Sequence, residues 1–231
     1  MTRSGDMTLA APAGTVLSVV IGSRAYGLET EESDVDRRGV FVTPTPMFWR
    51  LDKPPDHVEG PLPEQFSWEV ERFCVLALEG NPVVLECLWS PLVELSTPVG
   101  ERLLAIRRAF LSGKAERAFA GSAERQFRRL GPQDPPGPDG DVRRWKMAMH
   151  MIRLLRGAVH LARHGEPSID ASACRDRLLA VRRGETPWPE VLAWRARLLA
   201  ELDEWAGSAL PGRPDRAAVE EFLIDVRRSA L

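Results

Sequence analysis

Apolar and polar positions follow two rhythms along this chain, and the change of rhythm divides it. Near the start, Val16-Leu17-Ser18-Val19-Val20-Ile21 is an apolar, β-branched run of strand length, stopped by Gly22-Ser23. Ten residues separate Ser23 from Asp34, and Ser33-Asp34-Val35-Asp36 leads into a second apolar run, Val40-Phe41-Val42. The pattern predicts strand, Gly-Ser turn, short connector, and a second strand carrying Asp-x-Asp. Glu64-Gln65-Phe66-Ser67-Trp68 alternates again, as a third strand would. Then the period becomes helical: Val70, Phe73, Cys74, Ala77 and Leu78 share one face, with Ser67 predicted as the N-cap and Gly80-Asn81-Pro82 as the stop. Val83 to Trp89 is a short apolar run that periodicity leaves open as helix or strand.

From Pro98 onward the pattern is helical, over 98–112, 114–130, 141–164, 171–183, 188–206 and 214–229. Residues 1–14 read as a leader, 43–63 as a Pro-rich surface excursion, and 131–140 as a Pro/Gly linker. The expected class is therefore α+β: a core over 15–97 with a small mixed sheet and flanking helices, followed by a helical region over 98–231. The helical half is expected to pack over the sheet as one wall of a cleft.

The polar residues at the first strand pair suggest chemistry. On a strand, Asp34 and Asp36 face the same way and Val35 the other. Two adjacent carboxylates repel unless a cation lies between them, and Mg²⁺ takes one or two carboxylates plus substrate phosphates. Gly22 lets backbone approach an anion closely, and Ser23 adds a hydroxyl. These are the parts needed to hold a nucleoside triphosphate for phosphoryl-type transfer. A calcium loop fits positions one, three and six (Asp34, Asp36, Gly39), but fails at five, which is Arg38, and at twelve, which is Thr45.

The same residues carry a resemblance. Gly22-Ser23 followed by Asp34-x-Asp36 resembles the signature of the DNA polymerase beta nucleotidyltransferase superfamily. The fuller string GSRAYGLETEESDVDRRGVFV is similar to a branch of bacterial nucleotidyltransferases, some associated with RNA-repair ligases. FSWEVERFCVLALEGNPVVLECLWSP, KMAMHMIRLLRG and SALPGRPD extend the match, so that it runs from Val16 to about Leu223. The resemblance implies a polymerase-beta-like core, with Asp34 and Asp36 as catalytic metal ligands for two Mg²⁺ ions, Mn²⁺ being able to substitute. It also implies a third carboxylate from a later strand. Glu69, at the strand-to-helix junction, and Glu64, on the third strand, both remain open for that role. An NTP is the implied substrate, and an RNA end the implied acceptor.

Other residues are weighed beside this core. Arg24 is placed to fork onto a phosphate, and Arg38 shares the face of Asp36. Tyr26, the one tyrosine in the chain, either stacks near the site or packs the connector. Lys146, His150 and Arg153 lie on one face of an otherwise apolar helix. Buried cations need anionic partners, so these three are expected to grip phosphate, internal salt bridges being the alternative. Glu86 is expected to pair with an arginine rather than to act in catalysis.

Composition adds limits. The chain has 231 residues and a formal charge of −2, so no overall basic field attracts nucleic acid, and any such contact needs a local patch. Lysine occurs only at 53, 114 and 146. Cys74, Cys87 and Cys174 read as reduced, buried thiols of a cytoplasmic protein. No apolar run approaches membrane-spanning length, and no signal peptide is read. The leading expectation is a Mg²⁺-dependent nucleotidyltransferase. The alternatives are a non-catalytic nucleotide-binding module and a toxin- or antitoxin-type modifier of a translation component.

Overall fold

A computed structural model describes residues 11–31, 33–131, 141–205 and 209–231. The expected leader falls mostly, and the expected linker almost wholly, outside the described residues. Five strands form one mixed sheet: β1 (Thr15–Ile21), β2 (Asp36–Phe41), β3 (His57–Glu59), β4 (Gln65–Glu69) and β5 (Leu92–Ser96), in the order β3-β4-β2-β1-β5. β2 runs parallel to β4 and antiparallel to β1. β5, not anticipated from the pattern, caps the β1 edge.

One sheet face carries Leu17, Val19, Ile21 and Val40, all buried in the main core. Asp36 and Arg38 share that face by alternation, at the end of β2 where the pair register is Ile21 with Asp36. The opposite face carries Ser18, Arg37, Gly39 and Glu94; there Arg37 Nε donates to both Glu94 carboxylate oxygens at 3.1 Å.

Nine α-helices occur among the described residues. After a single turn α1 (Gly22–Ala25) come α2 (Val70–Leu78), α3 (Pro82–Trp89), α4 (Pro98–Ala105), α5 (Gly113–Leu130), α6 (Val142–His164), α7 (Arg175–Arg182), α8 (Trp188–Trp205) and α9 (Arg216–Ser229). Two boundaries differ from the sequence expectation, and the run left open takes one form. The strand through Ser67 continues to Glu69, and Glu69, not Ser67, caps α2 by accepting from Glu71 N. Ser67 is fully buried on β4, so its hydroxyl is not at a helix start. The run 83–89 is helix α3, because the Asn81 side chain accepts from Val83 N and Val84 N and Pro82 occupies the first turn. The stretch 98–112 breaks after Ala105 into a 3-10 turn over Arg107–Phe110.

α6 is the axis of the helical half. It packs against α5, α7 and α8, with Ala148, Met151, Ile152, Leu155 and Ala158 buried along its length. The segment before α7 returns to the β1–β2 connector: Ala171 N donates to Tyr26 O, and Arg175 Nε donates to Gly27 O at 2.7 Å. Thus the helical half fixes the connector that holds the Gly-Ser turn. Cys74 and Cys87 are buried free thiols, and burial pushes both pKa values up; Cys174, expected to be buried, is only partly so.

Candidate active site

β1 ends at Ile21, and the chain turns immediately at Gly22, whose φ is +71°. That conformation alone favours glycine, and the neighbourhood demands it: a Cβ at Gly22 would lie 2.3 Å from Asp36 Oδ2. The close approach brings the Gly-Ser turn against the first residue of β2. The turn's leading N–H groups have no side-chain cap. Asp34 precedes β2 in extended chain outside the sheet ladder, so only Asp36 of the pair stands on the strand itself.

Gly22, Ser23, Asp34 and Asp36 line one cavity of about 280 Å³, and Lys146, Met149, His150 and Arg153 of α6 line it too. Spacings of three and four residues put those α6 side chains on one helix face. Arg182, at the C-terminal end of α7, joins them. Residues from opposite halves of the chain thus meet, acids from the sheet and bases from the helices.

The bases differ in state. Arg153 is ion-paired to Glu86 at 2.8 Å, both side chains nearly buried, and its guanidinium lies 4.1 Å from the centre of the Tyr26 ring. The internal salt bridge weighed for this helix is what Arg153 makes, and Glu86 has the structural pairing expected of it. Tyr26 is buried in the connector and also lines the cavity beside Arg153, and burial raises its pKa. Lys146 and Arg182 have no carboxylate partner among the described residues. His150 is held down to about 3, first by burial and then by the Arg153, Lys146 and Arg182 charges. It is therefore a neutral imidazole at neutral pH, able to donate one hydrogen bond but carrying no charge.

The remaining expected residues do not line the cavity. Arg24 donates to Ser33 O at 3.2 Å, which ties the connector back on itself. Arg38 sits beside the site, 3.7 Å from Asp36 Oδ1, with its guanidinium donating to Arg37 O and Glu64 O. Glu64 is opposite Asp36 in the parallel register, one step before the Arg37–Gln65 pair. Its φ of +54° turns the chain there, and the residue is exposed.

Glu69 is a correction to the expected ligand set. It pairs in register with Phe41, five residues from Asp36 along β2, which is about 17 Å at roughly 3.3 Å per residue. The odd separation also puts it on the opposite sheet face. Its carboxylate is saturated: Arg227 donates to Oε1 at 2.7 Å and to Oε2 at 2.8 Å, while Thr43 N and Glu71 N donate as well. Glu69 therefore joins β4 to α9 rather than serving the cavity.

No group of three His, Cys, Asp or Glu residues close enough to hold a metal ion occurs among the described residues. Asp34 and Asp36 are two hard oxygen donors; Asp34 has no ion pair among the described residues, and Asp36 has the 3.7 Å contact to Arg38. With Gly22 pressed against Asp36, they fit a Mg²⁺ ion whose other positions come from phosphate and water. Among the described residues no third carboxylate lines the cavity. Arg182 escaped sequence reading, since Arg182-Arg183 at a helix end looks like ordinary compensation of the helix dipole.

No helix among the described residues is long and apolar enough to cross a membrane. No solved structure matches the chain. It is similar to the uncharacterized protein YcgL of Bacillus subtilis (strain 168), 25% identical over 194 residues, covering 81% of this chain and 72% of the relative. The profile of the RNA repair pathway DNA polymerase beta family matches residues 6–225, nearly the full length and spanning both walls of the cavity, and the chain belongs to that family.

Proposed function

We propose that the protein is a Mg²⁺-dependent nucleotidyltransferase that moves a nucleoside monophosphate from an NTP to a hydroxyl acceptor, with release of pyrophosphate. Family membership supports transferase chemistry of this type. The observation that carries the fuller reading is the meeting of Gly22, Ser23, Asp34 and Asp36 with Lys146, His150 and Arg182 around one cavity. A triphosphate is the ligand whose charge complements two unpaired cations and whose metal complements the Asp34 and Asp36 carboxylates.

In this reading Asp34 and Asp36 hold the metal and fix where the phosphates lie. Mg²⁺, or Mn²⁺ in its place, supplies Lewis-acid stabilisation of charge on the phosphoryl oxygens when bound. Lys146 and Arg182 bind the outer phosphates and stabilise negative charge as pyrophosphate leaves. His150, neutral, donates a hydrogen bond without adding a charge. Arg153, held by Glu86 and Tyr26, is a rigid support for the wall rather than a free clamp. One protein carboxylate of the Asp pair is available to take the acceptor proton.

The test is incubation with labelled NTPs, Mg²⁺ and RNA or protein acceptors. Labelled product from the wild type and none from Asp34→Ala/Asp36→Ala is expected; equal labelling by both removes the assignment.

A second reading has its own observation. No third acid lines the cavity among the described residues, since Glu69 is taken up by Arg227 and Glu64 is exposed. A nucleotide-binding module without chemistry would show a thermal shift with MgATP and no pyrophosphate release on any acceptor.

A further inference from the structure

Beside the first cavity lies a second cleft of about 410 Å³, and His150 and Arg153 belong to the lining of both. α5 supplies its other side, with Ser122, Arg125, Gln126 and Arg129. Arg125 donates to Ser122 Oγ at 2.7 Å and has no carboxylate partner among the described residues. Arg129 has neither a hydrogen bond nor an ion pair among the described residues. Glu86, the one acid in the lining, is already taken by Arg153. The cleft therefore keeps two unneutralised guanidinium groups, in a chain whose formal charge is −2.

Their placement has a repeat. Four residues apart on one helix, Arg125 and Arg129 lie on the same face and about 6 Å apart along its axis. That suits neighbouring phosphates of a polynucleotide strand better than one isolated anion. No Phe, Tyr or Trp lines the cleft, so it offers bases no stacking platform. Recognition there falls on the backbone. Nucleotidyl transfer also needs a second substrate, entering on a different path from the triphosphate and in line with the leaving group.

We propose that this cleft is the acceptor site, where Arg125 and Arg129 hold successive phosphates of a single-stranded nucleic-acid end. The inference rests on the transferase reading above and adds the acceptor's place and class. The terminal hydroxyl oxygen forms a bond to the α-phosphorus. The bond from that phosphorus to the bridging oxygen breaks, pyrophosphate leaves with the electron pair, and the hydroxyl proton passes through an Asp carboxylate to water.

The experiment measures anisotropy of a fluorescein-labelled single-stranded RNA 12-mer on the full chain across a salt series, without nucleotide. Thermal shift with MgATP runs beside it. Arg125→Gln/Arg129→Gln is expected to bind the RNA at least tenfold more weakly. Its log Kd against log salt slope should fall by about 1.4, two single-strand phosphate contacts at roughly 0.7 each. Arg125→Lys/Arg129→Lys should recover most of the affinity, and both variants should keep the wild-type melting temperature and MgATP shift. RNA affinity and slope unchanged in the Gln variant overturn the proposal. So does a wild type that binds no RNA but labels a protein acceptor. Failure of the underlying reading looks different: RNA held through Arg125 and Arg129 with no MgATP shift overturns the acceptor role while leaving a nucleic-acid site.

Discussion

Asp36 and Glu69 stand at opposite ends of the same parallel strand pair, and they have opposite fates. Glu69 is buried, accepts four hydrogen bonds and shares them with Arg227, the backbone of Thr43 and its own helix start. Asp36 opens onto a cavity, with one distant guanidinium beside it and glycine packed against its carboxylate. A carboxylate whose lone pairs are filled by the fold holds elements together; one left with open lone pairs beside unpaired cations can bind a ligand. In the proposed reading the two ends of β2 divide stability from chemistry, and mutations should separate them.

The sharpest break is at the open end. Asp34→Asn/Asp36→Asn should lower transfer activity by about a thousandfold, the scale for removing preorganised charge stabilisation from a reacting phosphoryl group. Its melting temperature should stay near wild type, because the only ion pair either acid makes among the described residues is the 3.7 Å contact of Asp36 with Arg38. Activity is read as pyrophosphate released, stability by calorimetry. A large loss of stability with intact activity would reverse the roles assigned to the two ends.

The closed end should answer the other way. Glu69→Gln leaves Arg227 with only the exposed Glu71 carboxylate as a charged partner, with an expected cost of about 2 kcal/mol in urea unfolding. The MgATP thermal shift, measured relative to the variant's own melting point, should be retained, since Glu69 is on the other face and the far end of the sheet.

How far this division could be read beforehand depends on range. The apolar runs and the helical periods place both strands and most helices, since those signals lie within a few residues. Alternation along β4 has Phe66 and Trp68 on one face and Glu69 on the other once the strand is known to reach Glu69. It does not tell which end of β4 meets Asp36, because that needs the parallel register between strands joined by a long excursion. Nor does it reveal Arg227, 158 residues away from Glu69. Glu69 looked like a ligand because a buried cap and a metal ligand have the same local signature, an acid at a strand-to-helix junction. Arg153 carries a related lesson: its need for an anion was legible, and the anion proved to be Glu86 inside the protein.

At the opposite wall, Lys146→Gln and Arg182→Gln test the unpaired cations. Each removes a charge-assisted contact worth roughly 1.5 kcal/mol, so each should weaken MgATP binding by about tenfold. ADP should suffer less than ATP if these side chains hold the outer phosphates. Equal losses for both nucleotides would move the two cations to another part of the ligand. Neither substitution should lower folding stability, because neither side chain has a carboxylate partner among the described residues.

The smallest effect concerns pH. His150 is held down to about 3 in the fold by burial and by Arg153, Lys146 and Arg182. In the unfolded chain the imidazole titrates near 6.5. Its contribution to stability is therefore complete above about pH 6.5. As pH falls below that, the unfolded chain takes up a proton that the folded one refuses, and stability is lost until about pH 3. The slope is at most roughly 1.4 kcal/mol per pH unit. Urea unfolding at pH 7, 6 and 5 should show a shallower acid loss for His150→Gln than for wild type, by about 1 kcal/mol per unit below pH 6.5. The site reading adds a sign: a bound triphosphate places negative charge opposite the imidazole, raises its pKa and flattens the wild-type curve. The open end of β2 would then be linked to acid stability only in the free protein, while the Glu69–Arg227 end holds whether or not nucleotide is present.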